Sequence, residues 1–328
     1  MIKGFDKATT NFLKELKEQI LSEYDAAEEP SVLVKLLPLS HNVQGERQYE
    51  IDKSTGKLVQ VGTIGKKDSV KSCVVVHEAT PSPNDGSIPT KPPEEKAGRI
   101  HYEKILYNLD KNKGFGGTVG YHAIVGTPEA LRKDSITIFL PLITTPEQTG
   151  NKKTNIFTYG IERLCGDKQN YHYNIAVQAM LTAFVLKQLG YSPEEAKSYC
   201  MPHMFFSKVK KKCPARMLYA SELLEQKKKG KILTAEMKAI IAEYVPWEVF
   251  SDLVEEFAIR DRYPEELRKK FIFDKSDQIA YEANPELYDY EQRKVLKSIE
   301  TQNPFREYKE YDPEIAIKRK LRENDNER

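Results

Sequence analysis

Three features of this 328-residue chain predict an α+β fold. Hairpin signals and β-branched runs concentrate before about residue 150. A stretch that is apolar on every helical face begins at Asn174. From Gly190 on, proline and glutamate recur together where helices would start, as in Ser192-Pro193-Glu194-Glu195, Tyr263-Pro264-Glu265-Glu266, Asn284-Pro285-Glu286 and Asp312-Pro313-Glu314. Proline suits the first helical position, where its missing N–H would have no partner, and glutamate nearby faces the positive end of the helix dipole. Strands first and helices afterwards is the pattern of an α+β chain.

In order along the chain, residues 7–24 read as an amphipathic helix, with Leu13, Leu16, Ile20 and Tyr24 on one stripe and Phe12 and Leu21 beside it. Residues 31–37 read as a buried strand and residues 48–61 as a hairpin, with residues 53–56 in the turn. Residues 70–77 form another strand around the apolar run 73–76. Five prolines between Thr80 and Pro93 forbid regular structure and predict a long loop. Residues 111–126 read as a glycine-rich connector, and residues 135–143 as a central strand apolar on both faces apart from Thr137. Residues 174–189 predict a buried helix capped by Gly190, the spine of the fold. Only helices are expected beyond it, over about residues 192–200, 215–229, 234–244, 246–260, 264–271, 285–300 and 313–322. The composition shifts across residues 150–169. The organisation expected is therefore a mixed α/β domain over 1–150 with a Pro-rich loop at 80–97, a helical domain over 151–302, and a polar helical tail over 303–328.

Composition narrows the classes of function. A net charge of +2 exerts no global pull on nucleic acid or acidic membranes. Four cysteines are too sparse for a disulfide scaffold of this length. The first residues carry no apolar run, and no window approaches the roughly 18 apolar residues of a membrane span. The chain is expected in the cytoplasm or inside an assembled particle, without a signal peptide.

Four groups of residues could carry chemistry. Gly114, Gly116, Gly117 and Gly120 could wrap a phosphate with backbone N–H groups, although the run lacks the Walker spacing. Gly116-Gly117-Thr118 followed by Asp134 resembles a nucleotidyltransferase turn, but Ser135 and Ile136 follow, so the second carboxylate of the metal pair is missing. Cys165, Cys200, His203 and Cys213 offer three thiols and one imidazole to zinc, with a two-residue gap between Cys200 and His203. Lys208, Lys210, Lys211 and Lys212, beside Phe205 and Phe206, could hold a single strand by charge and stacking. His77 with Glu78, His101 and His122 lie in the strand-rich part, where only the fold can bring them together. No Gly-x-Ser-x-Gly or His-Glu-x-x-His pattern is present.

With no catalytic motif, an extended proline segment and a hydrophilic end, the sequence points to a non-enzymatic subunit of a larger assembly, of the kind found in viral or mobile-element structural proteins. It would self-associate through Thr80–Pro93 or Asn303–Arg328. The alternatives are a nucleic-acid-binding protein using Lys208–Lys212 and Gly114–Gly126, and an enzyme acting on a phosphorylated or nucleotide substrate near Gly114–His122. No cofactor is expected, zinc being the one ion the residues could take.

Overall fold

A computed structural model of the chain describes residues 5–34, 46–51, 58–64, 73–79, 121–126, 131, 135–138, 158–164, 171–206 and 213–273. The architecture is α+β: an N-terminal helix, a mixed sheet and a helical C-terminal part.

Helix α1 spans Lys7–Ala26. Asp6 caps its start, with Oδ1 accepting from the Thr9 N–H at 2.7 Å, and Leu13, Leu16, Ile20 and Leu21 form its buried stripe. Strand β1 follows at Val32–Val34. The expected hairpin is present as β2 (Glu46–Ile51) and β3 (Leu58–Ile64), antiparallel with an irregularity between Gln48 and Tyr49. Strand β4 is Cys73–Ala79, β5 Ala123–Val125, β6 Ile136–Ile138, β7 Thr158–Leu164 and β8 Cys200–Pro202.

Apart from the β2–β3 hairpin, these strands make one sheet in the order β1-β6-β5-β7-β4-β8. β5 and β6 pair antiparallel; β5, β7, β4 and β8 all run parallel to one another. Parallel interior strands are covered on both faces and need no polar side, and β4 is buried from Cys73 to Glu78.

Three sequence expectations change here. Residues 123–125, expected in a glycine-rich connector, are a sheet strand. The segment 150–169, expected only as a change of composition, contains β7, buried along its whole length. Its Gly160, Glu162 and Arg163 hide it from a hydrophobicity reading, because the two charged side chains are buried by partners rather than excluded from the interior. Beyond residue 190, where only helices were expected, Cys200–Pro202 adds β8 beside β4, and strands from both sides of position 150 share the sheet.

Helix α2, Tyr171–Gln188, is the expected spine, with every residue from Asn174 to Leu186 buried. Gly190, at φ +85°, closes it: its N–H donates to Lys187 O at 2.8 Å and the Tyr191 N–H donates to Leu186 O at 3.1 Å. This pair of bonds satisfies the last carbonyls of a helix. Helix α3 (Pro193–Tyr199) begins with a reciprocal capping box between Ser192 and Glu195. After α4 (Ala215–Lys228), α5 (Ala235–Tyr244) starts at a Thr234 cap. Helix α6 (Trp247–Arg260) packs on α2 through Phe250, Leu253, Val254 and Phe257, aliphatic and phenyl burial contributing about 1.5–3 kcal/mol per side chain. Helix α7 is Glu265–Phe273. No described helix is long and apolar enough to cross a membrane. Thr80–Pro93 and Asn303–Arg328, the segments read as self-association surfaces, lie outside the described residues.

Candidate metal centre at the strand ends

In sheets with parallel strands, functional groups gather outside the carboxyl ends. β4, β7 and β8 are three such adjacent parallel strands, and each has polar residues near or just past its carboxyl end. On β4 these are His77 and Glu78; on β7, Glu162 and Arg163; directly after β8 comes His203. Register places His77 opposite Glu162 and Glu78 opposite Arg163. Because side chains alternate along a strand, the two pairs occupy opposite faces of the sheet.

The first face carries a donor group. His77, His203 and Cys213 place one ligand atom each within 4.8 Å of one another. β8 pairs with β4 up to Pro202 opposite Val76, so the next step brings His203 level with His77. Their rings lie 4.2 Å apart at 33°. Cys213 starts the turn into α4, and His77 and Cys213 are buried, whereas His203 is partly exposed. Beside the group, Glu162 Oε2 lies 3.8 Å from His77 Nδ1. Burial pushes the nearby Tyr121 phenol up, and the Glu162 charge adds to that shift.

The second face carries a buried charge network. Glu78 Oε1 lies 3.5 Å from Arg163 Nη2 and 3.8 Å from Arg216 Nε. Arg163 Nε donates to Gln178 Oε1 at 3.0 Å, and Nη2 donates to Tyr171 OH at 3.2 Å. The Arg163 guanidinium also sits 4.6 Å above the Tyr171 ring. Gln178 Nε2 donates onward to His77 O and Ile161 O, tying α2 to both strands. Two guanidiniums and one carboxylate removed from water are costly unless well paired; stacking and hydrogen bonds pair Arg163 Nε and Nη2, whereas Arg216 Nε and Nη2 make no hydrogen bond among the described residues and its guanidinium rests 5.4 Å from the Tyr171 ring and 5.6 Å from the Tyr244 ring.

Of the four zinc candidates read from the sequence, the structure brings His203 and Cys213 together, with His77 beside them. Cys200 lies elsewhere, on β8 opposite Val74, where burial and the neighbouring Cys73 push its thiol well up. Cys165 lies outside the described residues, as do His101, Gly114, Gly116, Gly117, Gly120, Lys208, Lys210, Lys211 and Lys212. His122 is buried two residues along the sheet from this centre: its Nδ1 accepts from the Gly160 N–H at 3.0 Å, and its ring stacks on Tyr159 at 4.2 Å. It serves the sheet rather than the donor group. Sequence reasoning did not link His77 to His203, nor notice Glu162. The available signal was a His-Glu pair ending the apolar run of β4, where a parallel strand delivers its polar residues.

No family model and no curated protein matches the chain. Among solved structures it is similar to the Staphylococcus aureus hydrolase AmiA in complex with its ligand, at 13% identity and TM-score 0.40, over 75% of this chain and 91% of that one. A mutant endolysin from Bacillus subtilis matches at 16% identity and TM-score 0.36, over 65% and 99% of the two chains. The catalytic domain of XlyA matches at 15% and 0.34, over 64% and 98%. These neighbours are a hydrolase, an endolysin and a catalytic domain, against the expectation of a non-enzymatic, viral-type or nucleic-acid-binding structural protein, which is not carried further. Similarity at this level transfers no residue and no substrate, so the functional reading rests on the site.

Proposed function

We propose that His77, His203 and Cys213 hold a zinc ion and that the protein is a zinc-dependent hydrolase. The observation that carries this is the mixed donor group itself: two imidazoles and one thiol, drawn from three separate elements, converging within 4.8 Å at the carboxyl ends of parallel strands. Imidazole and thiolate together favour zinc over the hard cations that prefer oxygen. In a tetrahedral zinc site with bonds of about 2.0–2.3 Å, donors stand roughly 3.3–3.6 Å apart, so closing this group on an ion takes a contraction on the order of 1 Å.

Sites with three protein ligands are the catalytic kind: when bound, zinc keeps a fourth position for water and lowers the pKa of that water to about 7. The chain's own residues do the rest. Glu162, with Oε2 3.8 Å from His77 Nδ1, is the carboxylate beside the centre that would orient the His77 ring and take part in proton transfer. The partly exposed His203 marks the side from which substrate enters.

The test is metal content and hydrolysis together. The full chain is expected to carry one zinc per molecule and to cleave at least one member of a panel of chromogenic amides, esters and phosphoesters. A chelator should abolish the activity and added zinc restore it. His203→Ala and Cys213→Ser should each lose both metal and activity. A folded protein that takes up no zinc, or whose hydrolysis survives chelation and both substitutions, would overturn the proposal.

A further inference from the structure

We infer that Glu78, on the face of the sheet opposite the donor group, is a positioning residue for Cys213; this rests on the zinc reading of that group. Three bonds join Glu78 to the turn that carries the thiol. Its backbone N–H donates to Cys213 Sγ at 3.4 Å. In the metal-free thiol form the Cys213 S–H donates to the Glu78 carbonyl at 3.8 Å, a bond given up when the sulfur binds a metal as thiolate. Its carboxylate Oε2 accepts from the backbone N–H of Arg216 at 3.2 Å. One residue thus grips the turn 213–216 at both ends, by main chain at the sulfur and by side chain at the entrance to α4.

The grip is itself held. Oε1 meets Arg163, Arg216 and the Tyr171 hydroxyl at 3.5–3.8 Å, and Glu78 is 2% exposed. Arg163 is fixed in turn by Gln178 and Tyr171 of α2. A line of contacts therefore runs from the buried spine helix through β7 and β4 to the sulfur. Ligands supplied by a turn rather than a strand are the ones whose position has to be imposed from outside, and outer-shell partners of metal ligands do this. A buried carboxylate between two guanidiniums adds little net stability over an apolar filling. Its evident yield here is placement of the thiol.

The decisive experiment uses the full chain with Glu78→Gln, which keeps the reach of the side chain and removes its charge, and Glu78→Asp, which keeps the charge and shortens the reach by one methylene. Zinc affinity is expected to fall ten- to a hundredfold in Glu78→Gln, and the cobalt-substituted protein should show a weakened or shifted thiolate-to-cobalt charge-transfer band. In the metal-free protein, hydrogen exchange at the Arg216 amide should accelerate. Glu78→Asp should show the same changes and carries the test if the glutamine variant does not fold. Affinity within twofold of the parent, with band and exchange unchanged, overturns the inference while leaving the zinc reading intact. If the parent takes up neither zinc nor cobalt, the zinc reading fails and the metal role of Glu78 fails with it. The exchange rates then decide separately whether the grip on the turn exists.

Discussion

Arg163 is the side chain on which the second face of the sheet depends, and Arg163→Met puts a number on it. The substitution removes the donor to Gln178 at 3.0 Å, the donor to Tyr171 at 3.2 Å, the ion pair to Glu78 at 3.5 Å and the stack at 4.6 Å over the Tyr171 ring. Deleting one partner of a buried ion pair costs about 3–5 kcal/mol, because the other charge remains buried. Arg216 still stands 3.8 Å from Glu78 and compensates part of that charge, which places the expected loss near the lower figure, about 3 kcal/mol. Against a total stability of roughly 5–15 kcal/mol this is a large fraction. Urea denaturation followed by far-UV circular dichroism would register it as a lower midpoint with an unchanged slope. Arg163→Lys, which keeps the charge but not the planar fork or the stack, should fall between the parent and the methionine variant. A loss below about 1 kcal/mol for Arg163→Met, or full stability in Arg163→Lys, would show that the network is not held by guanidinium geometry and would refute the reasoning.

Two further outcomes follow from the helix ends. The Thr9 N–H, and then Lys227, hold the Asp6 carboxyl at about 2, below its ordinary 3.8. A depressed carboxylate stabilises the fold above its unfolded pKa and ceases to do so as pH falls through its folded one. Asp6→Asn retains a capping side chain but should flatten the acid-unfolding profile between about pH 4 and pH 2, read by fluorescence. Gly190→Ala meets no atom within 4 Å of the added carbon, so its cost is the left-handed backbone alone, about 1 kcal/mol by thermal or urea unfolding; a loss several times larger would mean that Gly190 serves packing as well.

Much of the fold was legible because its signals are local. The stripe on α1, the all-round apolar surface of α2, the Ser192–Glu195 box and the β2–β3 pairing each lie within one short stretch of sequence. β7 escaped because Glu162 and Arg163 read as surface residues until His77 and Glu78 are known to lie beside them. β8 escaped because it is three residues ending in proline, placed in the sheet only by its pairing with β4. The candidate site was half legible: His203 and Cys213 were grouped by sequence proximity, ten positions apart. Their third companion lies far upstream and joins them through the parallel pairing of β4 with β8, a long-range contact that no spacing rule encodes.

The adjacency of His77 and Glu78 on an interior strand has a consequence for how this chain tolerates change. Sliding β4 by a single position against its neighbours would exchange the two, pointing the carboxylate at His203 and Cys213 and the imidazole at two arginines. Each side of the strand thereby rejects the misaligned partner of the other, so that insertions or deletions within Cys73–Ala79 should be fatal to chemistry and folding at one stroke.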